Sequence, residues 1–175
     1  MSKLTGGTLR FIAAAVGART VVEIGTGCGT SGIWLLRGMR PGAVLTSVDV
    51  EPEHQRLARS AFVAAGFPAG RFRLIGGLAL EVLPRLADGG YDMVFCDADR
   101  HEYPEYLAAA MRLLRPGGVV AFDGTLADER QDRQLDEGAA AALSELREQV
   151  SSDDRIVPLL LPVGAGLLAV VKRPD

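Results

Sequence analysis

Acidic residues and a glycine-rich loop follow the ends of apolar runs that read as strands. The stretch VVEIGTGCGTSG (residues 21–32) places glycines directly after one apolar run, and Asp49, Asp97 and Asp123 each end a later one. Glycine lets the backbone pass close to a bound molecule, and carboxylates bind hydroxyl groups or cations. A single strand-terminal Asp is usually a cap or turn residue. Three of them with a glycine loop predict a binding site.

The elements that must position these residues follow an alternating pattern. Short runs rich in Val and Ile are separated by amphipathic segments of helix length, which is typical of a parallel sheet covered by helices. The pattern predicts strands at residues 20–24, 44–49, 72–75, 91–97 and 119–123. It predicts helices at residues 30–39, from 52 onwards, and at 79–87, 103–114 and 135–150.

The C-terminal segment departs from this alternation. RIVPLLLP (155–162) and LLAVVKR (167–173) read as two strands joined by a tight glycine turn. So short a connection requires an antiparallel hairpin. The sequence therefore predicts an α/β fold with a mostly parallel seven-stranded sheet, an antiparallel C-terminal hairpin and helices on both faces. Residues 1–175 form one domain in this interpretation.

The glycine loop satisfies two patterns. Gly27-x-Gly29-x-x-Gly32 fits the dinucleotide fingerprint, and Asp49 follows Gly29 by 20 residues, where a ribose-binding acid is expected. That fingerprint has its first glycine directly after the strand, but here Gly25 holds that place. The glycines therefore belong to a longer loop, whose backbone can pass close to a ligand that has no pyrophosphate. This favours a different nucleotide-like cofactor, and the nicotinamide interpretation stays as an alternative.

Glu23 is the one charged residue in the otherwise apolar strand before the loop. A buried carboxylate is costly unless it is paired. Two interpretations follow: Glu23 meets a cationic or hydrogen-donating group of the ligand, or it forms a structural pair within the protein.

Composition narrows the function classes. The chain has 175 residues, 48% hydrophobic and 23% charged, and a net charge of -3, so it has no general attraction to nucleic acid. Cys28 and Cys96 have neither zinc nor disulfide-scaffold spacing, which predicts two buried thiols in a reducing compartment. No apolar run has the length of a membrane span, and the first residues lack a signal peptide. A cytoplasmic location is expected.

Five segments together carry a family resemblance. They are VEIGT (22–26), EPEH (51–54), DADRHEYPEYL (97–107), LLRPGG (113–118) and LLPVGAGLLAVVKR (160–173). In this order they resemble the S-adenosylmethionine-dependent O-methyltransferases of the catechol and caffeoyl-CoA type. The resemblance covers nearly the whole chain. It implies the class I methyltransferase (Rossmann-like) fold and methyl transfer to a small hydroxylated molecule.

The resemblance also implies roles for individual residues. The methionine end of the cofactor would meet Glu23, Gly25, Thr26, Gly27 and Gly29. The ribose would meet Asp49, and the adenine would meet Gly77, Leu78 and Ala79, with Ser31, Val50 and Asp97 as further cofactor contacts. Asp97 and Asp123 match two ligands of the family's divalent metal, Mg²⁺ or Ca²⁺, which would bind and acidify a substrate hydroxyl.

The chain departs from the family pattern at its catalytic positions. Gly124 replaces the Asn that supplies another metal ligand, and Arg100 replaces the catalytic lysine. Arginine keeps its proton, so Arg100 can orient or attract an anion but cannot act as a base. His101 can titrate near neutrality, and the candidate catalytic residues are therefore Arg100, His101 and Asp97. Leu78 stands where the family usually has an acidic residue.

The N-terminal segment also differs. Family members usually carry a helical extension before TGGTLRFIAAA (5–15), and here only 19 residues precede the first predicted strand. The site is then unusually open, or the chain begins inside a longer protein, or a partner subunit, as in a homodimer, completes the pocket. These departures support a second hypothesis, a catalytically impaired S-adenosylmethionine-binding domain. A nicotinamide oxidoreductase is the third.

Overall fold

The computed structural model describes residues 1–126 and 136–174. It contains a seven-stranded sheet whose strands are β1 (Thr20–Ile24), β2 (Val44–Asp49), β3 (Phe72–Gly76), β4 (Tyr91–Cys96), β5 (Leu114–Asp123), β6 (Ile156–Leu161) and β7 (Leu167–Lys172). Their spatial order is β3-β2-β1-β4-β5-β7-β6. The first five strands are parallel, and β7 is antiparallel to both of its neighbours. This confirms the predicted fold class.

Six helices cover the sheet within the described residues: α1 (Lys3–Ala15), α2 (Thr30–Gly38), α3 (Pro52–Ala64), α4 (Ala79–Val82), α5 (Tyr103–Leu113) and α6 (Glu137–Ser152). Side chains of α1, α2 and α3 form one apolar core against the sheet. Side chains of α5 and α6 form a second core on the opposite face. The helices therefore lie on both faces, as predicted.

The sequence pattern did not identify helix α1. Gly6 and Gly7 lower its helix propensity, but tertiary packing compensates for this. The indole of Trp34 on α2 lies so close to Gly6 that a Cβ there would come within 2.4 Å of its nitrogen. Ser2 caps the helix by accepting a 3.0 Å hydrogen bond from the Thr5 amide. Gly6 is therefore present because α1 and α2 pack closely at this point, and it does not indicate that the segment is non-helical.

Two other boundaries differ from prediction. The helix expected at 79–87 is α only to Val82 and continues as a 3₁₀ turn over Leu83–Arg85, because Pro84 has no amide hydrogen to donate to the preceding turn. Strand β5 begins at Leu114, so Pro116-Gly117-Gly118 lies within it rather than only ending the helix. Residue 135, the predicted start of the last helix, lies outside the described residues.

The C-terminal hairpin is confirmed in register and direction. Ile156 pairs with Lys172 and Leu161 with Leu167, in antiparallel orientation. Strand β6 is at the edge of the sheet, which is where Pro158, which cannot donate a ladder hydrogen bond, is tolerated. No helix in the described part of the chain is long and apolar enough to cross a membrane.

Candidate functional site

A cavity of about 610 Å³ opens at the carboxyl ends of β1, β2 and β4, and its size falls within the usual range for small-molecule sites. We call it the glycine-loop pocket. Its walls include Gly25, Thr26, Gly27, Ser31, Asp49, Val50, Gly77, Leu78, Ala79 and Asp97. The fold therefore brings ten of the twelve predicted cofactor residues together around one cavity. Glu23 and Gly29 do not line it.

Gly25 brings the loop close to the neighbouring strand end. Its φ is +96°, and a Cβ there would lie 2.1 Å from the carbonyl oxygen of Asp97. Its amide donates to the Val48 carbonyl at 2.9 Å. Only glycine fits both the backbone conformation and the space. The first residue after β1 thus joins the loop to the ends of β2 and β4.

Glu23 lies beneath the loop and is fully buried. Its carboxylate accepts hydrogen bonds from the hydroxyls of Ser31 and Ser47, each at 2.5 Å. Ser47 and Thr26 share a further hydroxyl hydrogen bond of 2.7 Å. Burial raises the pKa of Glu23 to about 7, despite the two hydroxyl donors. Glu23 is therefore paired within the protein, through side chains that support the loop and the start of α2.

Asp49 is held at the end of β2 with its side chain only 9% exposed. One carboxylate oxygen accepts from the Gly27 amide and the other from the Glu51 amide, each at 2.9 Å. A ring nitrogen of His54 lies 3.2 Å from the carboxylate. Because a carboxylate has about four acceptor positions, and the two amides and His54 approach three of them, one position remains for a hydroxyl donor from the cavity.

The third wall of the cavity is formed by the turn between β3 and α4. The Gly77 amide donates to the Asp49 carbonyl at 3.0 Å, which fixes the turn to β2. Leu78 precedes α4 and is 52% exposed, with Ala79 beside it. This wall is apolar and lies beside Asp49, so it suits a flat aromatic group attached to a sugar.

Other wall residues were not identified from the sequence. They include His54, Glu102 and Tyr106. Glu102 and Tyr106 are four residues apart, so they lie on the same face of a helix. That spacing could have indicated from the sequence that the two side chains lie together. The expectation that both cysteines are buried was wrong for Cys28, which is exposed in the loop, whereas Cys96 is buried. Cys28 is exposed because the loop directs it into the cavity rather than into a core.

A second, smaller hollow of about 280 Å³ adjoins the first one. Its described walls are Asp97, Ala98, Asp99, Arg100, His101 and Ala139. We call it the Arg100 hollow. Residues 97–99 line both cavities. These three residues therefore form the boundary between the two cavities.

Asp97 and Asp123 follow adjacent parallel strands, because Cys96 pairs with Phe122. Burial raises the pKa of Asp97, and the charge of Asp123 raises it further, while the amino terminus and Arg100 oppose this. Burial also raises the pKa of Asp123, and the Gly124 amide, the amino terminus and Arg100 oppose it. Oxygen Oδ1 of Asp123 is buried and accepts no hydrogen bond from the described residues.

The Arg100 guanidinium lies against Gly124. A Cβ on Gly124 would come within 2.5 Å of the Arg100 Nη2 and within 2.9 Å of its Nε. The absence of a side chain at position 124 therefore gives the guanidinium its place beside Asp123. The structure places Arg100 near both Asp97 and Asp123, and the catalytic roles of these residues stay predictions.

His101 has both ring nitrogens next to carboxylates. Nδ1 lies 2.7 Å from Asp99 and Nε2 lies 2.9 Å from Asp136, the N-cap of α6. The hydrogen bond with Asp99, and then the charges of Asp136 and Asp99, raise the pKa of His101. This geometry favours the protonated ring, in which both nitrogens donate. It links the segment after β4 to α6.

The described residues offer two carboxylates to the expected divalent metal. Mg²⁺ and Ca²⁺ take six or more oxygen ligands, and Mg²⁺ usually keeps several waters beside one or two carboxylates. Asp97 and Asp123 offer two carboxylates, and no group of three or more His, Cys, Asp or Glu in residues 1–126 and 136–174 is arranged to hold a metal ion. A side chain at position 124, where the family pattern has a further ligand, would meet the Arg100 guanidinium.

Comparison with known proteins gives a consistent result. A family model described as O-methyltransferase matches residues 1–173. A protein of Mycolicibacterium vanbaalenii, provisionally named an O-methyltransferase, is 48% identical over 173 residues, which is 98% of this chain and 76% of that protein.

Two solved structures show the same architecture. The Bacillus cereus O-methyltransferase in complex with S-adenosylhomocysteine is 28% identical with a TM-score of 0.89, over 99% of this chain and 82% of that one. The O-methyltransferase TomG of Streptomyces achromogenes, involved in tomaymycin synthesis and solved with S-adenosylmethionine, is 29% identical. Its TM-score is 0.90, again over 99% of this chain and 82% of that one.

Proposed function

The chain belongs to the O-methyltransferase family and is an S-adenosylmethionine-dependent methyltransferase, and on that premise we propose that it methylates an oxygen of a small hydroxylated molecule. The observation that carries the proposal is the pair of adjoining cavities that share residues 97–99. In this assignment the glycine-loop pocket holds the methyl donor and the Arg100 hollow holds the acceptor. The nicotinamide alternative is not favoured, because the family is a different one.

Asp49 is the proposed ribose ligand. Two backbone amides already fix its carboxylate, so it can receive a hydroxyl of the ribose without reorganising. Gly77, Leu78 and Ala79 then lie beside the adenine, with Val50 next to Asp49. Because Asp49 ends strand β2 and accepts from two amides, the fold sets the position of its carboxylate.

Gly25, Thr26 and Gly27 are proposed to face the methionine part of the donor with their backbone. Glu23 acts through Ser31 and Ser47, whose hydroxyls it holds, and is a positioning residue in this assignment. Gly29 begins α2 and packs on α3, where a Cβ would come 3.0 Å from the Ala58 Cα. The donor, when bound, supplies an electrophilic methyl group on a positively charged sulfur.

The protein's contribution to such a displacement is mainly to orient the two reactants. Correct positioning of nucleophile and electrophile can supply about 7 to 11 kcal/mol of the barrier. Asp97 lines both cavities and is proposed to orient the reacting groups at their boundary. Arg100 cannot remove the acceptor's proton, and His101, held between two carboxylates, is proposed to position the segment after β4.

Calorimetric titration with S-adenosylhomocysteine tests the donor site. We expect the parent protein to bind it and Asp49→Ala to weaken binding by about 1.5 to 3 kcal/mol, the scale of hydrogen bonds to a charged group. Asp154→Ala, which removes an exposed carboxylate in the turn before β6, is the matched control and should bind like the parent.

Titration with NAD in the same samples tests the alternative. Binding of NAD without any response to S-adenosylhomocysteine would overturn the proposal. Methyl transfer itself is measured by mass spectrometry on a panel of phenols and other hydroxylated compounds. A methylated product is heavier than its acceptor by about 14 Da, the mass of one CH₂ group. Binding without transfer to any acceptor would favour the impaired domain.

A further inference from the structure

Glu102 and Tyr106 line the glycine-loop pocket together with Leu78 and Ala79. Glu102 ends the 3₁₀ turn that follows β4 and is the N-cap of α5. Tyr106 lies one helical turn further along α5 and is buried. Neither residue belongs to the glycine loop or to the end of β2, so the two side chains form a separate wall of the donor cavity.

The carboxylate of Glu102 is held by Tyr106. The Tyr106 hydroxyl donates to Oε2 of Glu102 at 2.5 Å, as residues four apart on a helix can. Burial, and then this hydrogen bond, raise the pKa of Tyr106, so the phenol keeps its proton and acts as the donor. The Glu102 amide donates to the Asp99 carbonyl at 3.1 Å. The fold therefore fixes both the backbone and the carboxylate of Glu102.

The pair lies next to the wall that is proposed to hold the adenine. Ala79 packs against the apolar cluster that includes Tyr106. Gly77, Leu78 and Ala79 have no hydrogen-bonding side chain, and Leu78 is largely exposed. A base on this wall gains apolar contact from these residues but no polar side-chain contact. Glu102 is the polar side chain that the neighbouring helix adds.

Oxygen Oε1 of Glu102 is available to a ligand. Among the described residues, Tyr106 is the hydrogen-bond donor to this carboxylate, and it occupies Oε2. Asp99, the nearest carboxylate along the chain, lies 2.7 Å from the ring of His101 instead. A carboxylate can only accept hydrogen bonds, and bonds to a charged acceptor are the stronger ones. Glu102 therefore requires an N–H or O–H group on the ligand.

We propose that Glu102, positioned by Tyr106, is a specificity-determining residue of the donor site and accepts a hydrogen bond from the amino group of the adenine. This inference rests on the proposed donor site and names the group that recognises its base. The adenine amino group is a hydrogen-bond donor, so it matches Oε1. Leu78 and Ala79 contact the face of the same ring.

The contact selects a 6-amino purine over a 6-oxo purine. In hypoxanthine an oxygen replaces the amino group, so this oxygen and the carboxylate would face each other as two acceptors. A polar group left without a partner costs free energy, and a site built around an N–H group of its ligand rejects analogues that lack it. S-adenosylhomocysteine and S-inosylhomocysteine differ only in the base, and neither carries the charge of a sulfonium. Their comparison therefore isolates recognition of the base.

Calorimetric titration of each protein with S-adenosylhomocysteine and with S-inosylhomocysteine tests the inference. The variants are Glu102→Gln, which keeps the shape of the side chain but removes its charge, and Tyr106→Phe, which removes only the hydroxyl. Glu105→Gln is the matched control, because it changes an exposed carboxyl of the same helix that does not line the pocket. The ratio of the two dissociation constants is the measured quantity, since a purely structural defect weakens both ligands together. Thermal unfolding of each variant verifies the fold.

We expect the parent and Glu105→Gln to bind S-adenosylhomocysteine at least about tenfold more tightly than S-inosylhomocysteine, the scale of a hydrogen bond to a charged group. Glu102→Gln should bind the two ligands about equally, because an amide can accept from an amino group or donate to an oxo group. Tyr106→Phe should have an intermediate ratio, because it leaves the Glu102 carboxylate free to turn.

Equal binding of the two ligands by the parent would overturn the inference, and so would a folded Glu102→Gln protein that keeps the parent's ratio. The parent's ratio in Tyr106→Phe would overturn the positioning role of Tyr106. Failure of S-adenosylhomocysteine to bind the parent would instead contradict the proposed donor site, so the two failures are distinguished in the same samples.

Discussion

In the glycine-loop pocket, Asp49 and the buried Glu23 below it each accept two or more hydrogen bonds from the chain. Beside the Arg100 hollow, by contrast, Oδ1 of Asp123 is buried and accepts none from the described residues, and burial raises the pKa of Asp123. Both regions lie at the same end of the same sheet. The fold itself satisfies the two carboxylates of the first region, whereas Asp123 keeps one oxygen without a partner among the described residues.

The difference indicates where each kind of substitution should act. Changes beneath the glycine loop should alter stability and donor binding together, since the loop is part of the folded framework. Changes in the hollow should alter ligand preference with little effect on stability. The following predictions test this contrast.

The largest effect is expected for Gly25→Ala. The added Cβ meets a backbone oxygen of the adjacent segment at 2.1 Å, and the φ of +96° is strained for alanine. We expect a loss of about 3 kcal/mol or more in the free energy of unfolding, from overpacking combined with backbone strain, and a loss of S-adenosylhomocysteine binding. Urea denaturation and calorimetry measure the two losses.

Gly66→Ala is the matched control, because it measures the cost of a positive φ in alanine without any steric overlap. Gly66 has a φ of +89°, and a Cβ there meets nothing within 4 Å. Its cost should be only about 1 to 2 kcal/mol, with donor binding unchanged. Equal losses for the two variants would show that close approach of the loop to the strand end is unimportant.

Glu23→Gln should change how stability depends on pH. Burial raises the pKa of Glu23 to about 7 from 4.5, so its contribution to stability is complete below about pH 4.5 and is lost as the pH rises through 7. At about 1.4 kcal/mol per pKa unit, the parent should lose about 3 kcal/mol over this range relative to the neutral variant.

Urea denaturation at several pH values measures this difference. Glu105→Gln, which changes an exposed carboxyl on α5, should keep the pH dependence of the parent. Parallel curves for the parent and Glu23→Gln would mean that Glu23 has the same pKa in the folded and the unfolded protein, so that burial does not raise it.

The smallest effect concerns His101 at the edge of the hollow. Its pKa should lie above the usual value of about 6.5, because Asp99 and Asp136 both face its ring. The ion pairs of the protonated His101 ring with Asp99 and Asp136 are fully formed below about pH 6.5. They are lost as the pH rises through the raised pKa of His101. NMR titration of the ring protons measures that pKa directly.

Asp136→Asn provides the comparison for His101. Asn is also a good N-cap, so helix α6 keeps its capping group while the charge is removed. The pKa of His101 should fall, with little change in S-adenosylhomocysteine affinity. An unchanged pKa would mean that Asp136 does not act on the ring in solution.

The order of the elements was predictable because local signals agreed. Apolar runs of strand length, glycines at turns and Pro52 at the start of a helix each indicate where one element ends and the next begins. The antiparallel hairpin followed from the short connection at 163–166 alone. Helix α1 was not predictable, because Gly6 is favoured by contact with Trp34, which lies 28 residues away in the sequence.

The glycine loop shows a similar limit. The dinucleotide-like pattern of this loop depends in part on Gly32, which is a glycine because of helix packing. A Cβ on Gly32 in α2 would come 2.5 Å from Phe62 of α3. A glycine required where two helices pack thus resembles a glycine of a dinucleotide site. The role of Glu23 was left open by the sequence. Only the pairing of β1 with β2 placed Ser47 opposite Glu23 and supplied its partner.

The sequence by itself determined the fold class, the family and ten of the residues that line the glycine-loop pocket, because these depend on periodicity and on motifs that are local in the chain. The tertiary structure decided which polar groups are already satisfied and which cation stands beside Asp123. Those properties depend on distances between residues far apart in sequence, such as Arg100 and Gly124, and on the exclusion of water between them.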